Sequence, residues 1–238
     1  MNNDDKVLYD RLIEKLCIII MMHAMNKVAK KALFYDGIFY SIKMTRTAYH
    51  NLVDKLCTLA DFKFKDPTDL AESAITEAWA IVDSLYRLRK LLEDTPELKQ
   101  KSPEVQLFYR KTKCLKDLRD SIQHLDEYIE KYVSNKIPAW GRLTWVYPER
   151  HNRYKACMIV PGDVQPDLKL MSSHMGEKMR TPIDFITITT NNTVCLTHMI
   201  DALDQLMPWL NKQMKGYFNM KHQLVIMCFG INTNYNIY

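Results

Sequence analysis

The chain has 238 residues, with 33 Lys and Arg against 28 Asp and Glu, a formal net charge of +5. Hydrophobic residues make up 47% and charged residues 26%, with only 6 Gly and 9 Pro, which excludes a disordered or loop-rich chain and points to long regular elements. The modest basic surplus permits a polyanionic partner without requiring one.

The opening "MNNDDKVLYDRL" is polar and acidic, the wrong chemistry for an export signal, so the expectation is a cytoplasmic protein. Cys17, Cys57, Cys114, Cys157, Cys195 and Cys228 are then read as reduced thiols. None is spaced as C-x-x-C and no Cys/His ligand spacing occurs, so no metal or other cofactor is expected. The longest apolar run, "LCIIIMM" at 16–22, falls short of the roughly 20 residues that cross a bilayer. It reads as the buried stripe of a helix, and no membrane is expected as a partner.

In chain order, Leu8, Leu12, Leu16, Ile19, Ile20 and Val28 recur at helical spacing over 5–33, with Asp36-Gly37 expected to break the pattern. His23, set among Ile and Met, reads as a satisfied core histidine. A second helix is predicted over 44–60 from Tyr49, Leu52, Val53, Leu56 and Leu59. A third follows, with Thr68 as its cap, an apolar face from Ala71 to Leu88 and Pro96 after its end. The fourth is predicted as one rod from Ser102-Pro103 to about Asn135, capped by Ser102 and stopped by Lys136-Ile137-Pro138. Short connections make these an antiparallel four-helix bundle.

The pattern then changes period. "AWGRLTWVYP", "YKACMIVPG" and "IDFITITTNNTVCLTH" read as strands, the last as a hairpin turning at Asn191-Asn192. An amphipathic helix is predicted over 197–215, and "QLVIMCFGINTNYNIY" as an edge strand at its start. The fold class is therefore mainly α: a helical bundle over 1–137, then a small antiparallel sheet with a C-terminal helix (α+β) over 138–238.

The chemistry-bearing residues lie on the fourth helix, in "CLKDLRDSIQHLDEYIEKYV". On a helical wheel Arg119 sits at the edge of the buried stripe and His124 points away from it, the two diverging by roughly 140°. RNA cleavage by the 2′-hydroxyl needs a group titrating near neutrality and a cation on the phosphate. His124 supplies the first, as base or proton donor, and Arg119 the second. Asp120, Ser121 and Gln123 are placed to orient the hydroxyl, the imidazole or the phosphate. Because the pair diverges within one helix, a two-fold dimer through this helix is needed to bring them together.

"RDSIQH" resembles the R-x(4–6)-H motif of the HEPN superfamily, and a bundle with that motif on its fourth helix resembles the same fold over roughly 5–135. The resemblance implies a metal-independent endoribonuclease active as a homodimer. It places Arg119, Asp120 and His124 at the family's motif positions. It further implies a toxin or phage-defence effector with an antitoxin or activator protein, or else an inactive member serving as a dimerisation and interaction module that binds RNA or a protein.

Two weaker signals concern RNA contact. Arg87, Arg89, Lys90, Arg110, Lys111, Lys113 and Lys116 cluster near the expected third-to-fourth helix turn and read either as an ordinary solvated face or as a phosphate-tracking surface. Arg150 and Arg153 stand among Trp140, Trp145, Tyr147 and Tyr154, of which the two Trp are expected in the core.

Overall fold

The computed structural model describes residues 3–61, 66–95, 98, 102–149, 154–162, 184–190 and 193–215. The first element is α1, Asn3–Ala60, a single helix of 58 residues. The expected break at Asp36-Gly37 does not occur. A glycine inside a helix costs only about 1 kcal/mol, which packing overrides. Here Gly37 allows close approach to the next helix: a Cβ at this position would stand 3.0 Å from Leu91 Cδ1.

That next helix is α2, Thr68–Asp94. The two form the principal helix pair. Tyr35, Ile38, Ile42, Thr45, Ala48, Leu52, Leu56 and Leu59 recur at steps of three and four on α1 and are all buried. On α2, Ala74, Ala78, Ile81, Leu85, Leu88 and Leu92 repeat the same rhythm, also buried. This is the spacing of a helix–helix seam. One polar layer interrupts it, where the Thr45 and Ser84 hydroxyls meet at 2.8 Å. Each side chain also reaches a carbonyl of its own helix, Ser41 and Ala80 respectively, so the layer is satisfied. The α2 cap differs from expectation. Asp66, not Thr68, does the work, its Oδ1 accepting from the Thr68 N–H at 3.0 Å and hydroxyl at 2.6 Å. Those bonds hold the Asp66 carboxyl below its usual range, the hydroxyl contributing most.

The expected fourth rod is three pieces: α3 (Pro103–Lys111), α4 (Leu115–Gln123) and α5 (Leu125–Ser134). Ser102 caps α3 as predicted, accepting from the Val105 N–H at 3.3 Å, with Pro103 following. The first break has a visible cause. Arg89 on α2 donates to the Tyr109 carbonyl at 2.6 Å and the Thr112 hydroxyl at 3.2 Å, drawing the end of α3 toward α2. The Thr112 hydroxyl in turn donates to the Phe108 carbonyl at 2.7 Å. The second break is His124 itself, at φ −112, ψ 38. Helix α5 closes with Lys136 at φ 52 and Ile137 N–H donating to the Tyr132 carbonyl at 2.9 Å, a left-handed helix end of Schellman type.

Strands β1 (Arg142–Pro148), β2 (Tyr154–Ile159), β3 (Asp184–Thr189) and β4 (Thr193–Cys195) form an antiparallel sheet in the order β2-β1-β3-β4. The predicted β3–β4 hairpin is present, with its Asn191-Asn192 turn outside the described residues. The predicted strand over the "QLVIMCFGINTNYNIY" segment also lies outside them. Leu143 pairs with Ile188, and Trp145 with Cys157, on the buried face of the sheet. Helix α6, Leu196–Gln213, lies against β3 and α3 and buries Met199, Leu203, Leu206 and Leu210. One contiguous cluster of buried side chains runs from the α1–α2 seam through α3 to the sheet and α6. Trp145 is buried as expected, whereas Trp140 is 49% exposed and only its carbonyl is engaged, by the Trp79 indole N–H at 3.2 Å. No helix among the described residues is long and apolar enough to cross a membrane.

Candidate functional site

Helix α4 is short and strongly amphipathic, burying Leu115, Leu118 and Ser121 and leaving Lys116, Asp117 and Gln123 exposed. Arg119 lies on the boundary between these faces, 27% exposed, and leans onto α2. Its Nε donates to Asp83 Oδ1 at 3.0 Å, and its guanidinium carbon stands 5.0 Å from the centre of the Tyr86 ring. The other Asp83 oxygen, Oδ2, pairs with Arg87 Nη2 at 2.7 Å. One carboxylate therefore bridges Arg87 and Arg119 across the α2–α4 seam.

His124 belongs to a different environment. It forms the joint between α4 and α5, donates its backbone N–H to the Asp120 carbonyl at 3.0 Å, and stands 3.5 Å from Glu127 through Nδ1. Its side chain is 55% exposed. Because the helix ends one residue earlier, the wheel that relates His124 to Arg119 on a continuous rod no longer applies. The straight rod expected from the sequence is therefore interrupted at His124, where neither Pro nor Gly marks the joint.

Ser121 does not face solvent. It is 5% exposed, its hydroxyl donates to the Leu118 carbonyl at 2.7 Å, and Tyr132 Oη lies 3.5 Å from its own carbonyl. Asp120 is half-buried and Gln123 exposed, both beside Arg119 on α4.

The expected basic surface divides. Arg89 and Lys90 both pair with Glu93, at 2.9 Å each, and Arg89 is turned inward onto α3. Arg110, Lys111, Lys113 and Lys116 remain exposed, with no ion pair among the described residues. Arg150 and Arg153 lie outside the described residues.

Sequence reading missed Asp83 and Tyr86. The Asp83–Arg87 pair, one helical turn apart, is a visible signal. The link from Asp83 to Arg119 spans two helices and leaves none.

Three of the described thiols are poor candidates for an activated nucleophile. Burial pushes Cys57, Cys114 and Cys157 above the usual cysteine range. Burial likewise lifts the Tyr109 phenol to about 12. No cluster of His, Cys, Asp and Glu that could hold a metal occurs among the described residues. A separate apolar cavity of about 210 Å³ opens between Leu59, Ala71, Trp145, Cys157 and Ile159, beside a buried Trp145 indole N–H with no hydrogen-bond partner among the described residues. No protein-family model, curated protein or solved structure matches the chain.

Proposed function

We propose that the chain is a HEPN-like helical module that binds RNA and does not cleave it. The observation that carries this reading is the separate engagement of its two motif residues. Arg119 is held against α2 by Asp83 and Tyr86, while His124 sits apart from it in the α4–α5 joint beside Glu127. A general base and a phosphate-binding cation must converge on one phosphodiester, and this packing supplies no such convergence within one chain.

The flank formed by the end of α3, the following turn and the start of α4 supports contact with a polyanion. Arg110, Lys111, Lys113 and Lys116 project from it within a stretch of seven residues, suited to phosphates and carrying no base-specific geometry. Self-association through the α4–α5 segment belongs to the same proposal. Ile129 and Val133, 51% and 66% exposed on α5, offer the apolar contact for it.

A second reading, a dimeric metal-independent endoribonuclease, is favoured by one specific feature. His124 is exposed, so a second copy has access to its imidazole. The cell role implied by the HEPN resemblance, toxin or phage-defence effector in the cytoplasm, belongs to this reading.

Incubation of the protein with single-stranded RNA in EDTA separates the two. The module reading expects full-length RNA after prolonged incubation, retarded in a native gel. Fragments that disappear in both Arg119→Ala and His124→Ala, with the oligomeric state unchanged, would overturn it in favour of the nuclease.

A further inference from the structure

We propose that Arg87 and Arg119, held on Asp83, form a phosphate-binding cradle at the α2–α4 seam, and that its ligand is a phosphodiester of a single-stranded RNA backbone. The inference rests on the RNA-binding reading and adds a site to it, because Arg87 lies outside the motif and outside the α3–α4 flank.

Asp83 uses only part of each guanidinium. Arg119 engages Asp83 through Nε, at 3.0 Å. That leaves its Nη1 and Nη2 fork, the end that matches two oxygens of a phosphate. The Tyr86 ring beneath it, at 5.0 Å, and its 27% exposure fix the fork in place, so little side-chain freedom is lost on binding. Arg87 engages the same carboxylate through Nη2, at 2.7 Å, and keeps Nε and Nη1 for a ligand on a side chain that is 60% exposed.

Charge agrees with this use. Two guanidinium groups against one carboxylate leave a single positive charge, the complement of a phosphodiester. Lys116 adds another, one helical turn before Arg119 on α4 and exposed. Asp83 thus positions two donors that would otherwise repel each other. A lone surface ion pair needs only one cation, and such pairs contribute little to stability.

The test measures binding of a fluorescein-labelled oligouridine by anisotropy, and of inorganic pyrophosphate by its effect on the thermal midpoint. Arg87→Gln and Arg119→Gln are each expected to weaken oligouridine binding about tenfold, the worth of a charge-assisted contact. Arg46→Gln, an equal loss of charge at the Asp204 pair between α1 and α6, is expected to change it less than twofold. If Arg119→Gln fails to fold, Arg87→Gln, a change at an exposed side chain, still decides the matter. Oligouridine binding unchanged in Arg87→Gln would overturn the cradle while the RNA reading stands. A parent protein stabilised by pyrophosphate, with that effect lost in Arg87→Gln, but indifferent to oligouridine, would retain a phosphate cradle and overturn RNA as its ligand. Indifference to both ligands would overturn both.

Discussion

Leu85→Ala is expected to lower the free energy of unfolding by about 3 kcal/mol, the usual cost of a leucine truncated in a core that cannot collapse around the gap. Leu85 is 0% exposed at the middle of the α2 seam, facing α1. For a chain of this size the loss corresponds to a fall of about 6–12 °C in the thermal midpoint, measurable by circular dichroism at the helical band. Val28→Ala, at a site 69% exposed on α1, serves as the control and is expected to stay within about 0.5 kcal/mol of the parent. Equal effects at the two positions would mean that α1 and α2 do not pack through the seam described.

Gly141→Ala is expected to cost at least about 2 kcal/mol for two reasons acting together. The residue adopts φ +73, a conformation that side-chain-bearing residues rarely take, and an added Cβ would stand 2.7 Å from the Thr189 carbonyl oxygen on β3. The neighbour is backbone in a paired strand, so it cannot rotate away. Gly162→Ala separates the two contributions, because φ there is +89 and nothing lies within 4 Å of the new Cβ. Its cost, about 1 kcal/mol, is that of the backbone conformation alone. Chemical denaturation of both variants gives the steric share by difference. Equal costs would mean that β1 does not enter the sheet against Thr189.

The broad architecture was legible because it rests on local periodicity. The α2 face from Ala71 to Leu88, the Ser102-Pro103 start, strands β1 to β4 and the amphipathic α6 all follow from spacing and caps, and these appear at or near their predicted bounds. The two errors in helix continuity share one physical origin. Gly37 looks like a stop, but tertiary packing against Leu91 overrides its weak preference. In the opposite sense, 103–134 contains no breaker beyond its first residue, so the chain reads as one rod. Contacts from another helix divide it, with Arg89 capturing the Tyr109 carbonyl.

The candidate site fared likewise. Arg119 was expected at the edge of the buried stripe, and it lies there, 27% exposed. The environments of Arg119 and His124 depend on Asp83, Tyr86 and the joint at His124, which no local pattern announces. Ser121 was read as a polar helper because its neighbours are polar, but α4 turns it inward and its own helix satisfies it.

The RNA-binding reading stands on phosphate contacts, and the salt dependence of binding reports them most directly. Each phosphate neutralised on a single strand contributes about −0.7 to the slope of log affinity against log salt. Contacts from the cradle and the Arg110–Lys116 flank together predict a slope of about −2 or steeper for oligouridine. A slope near zero, or no binding at the lowest salt in which the protein stays folded, would contradict the account.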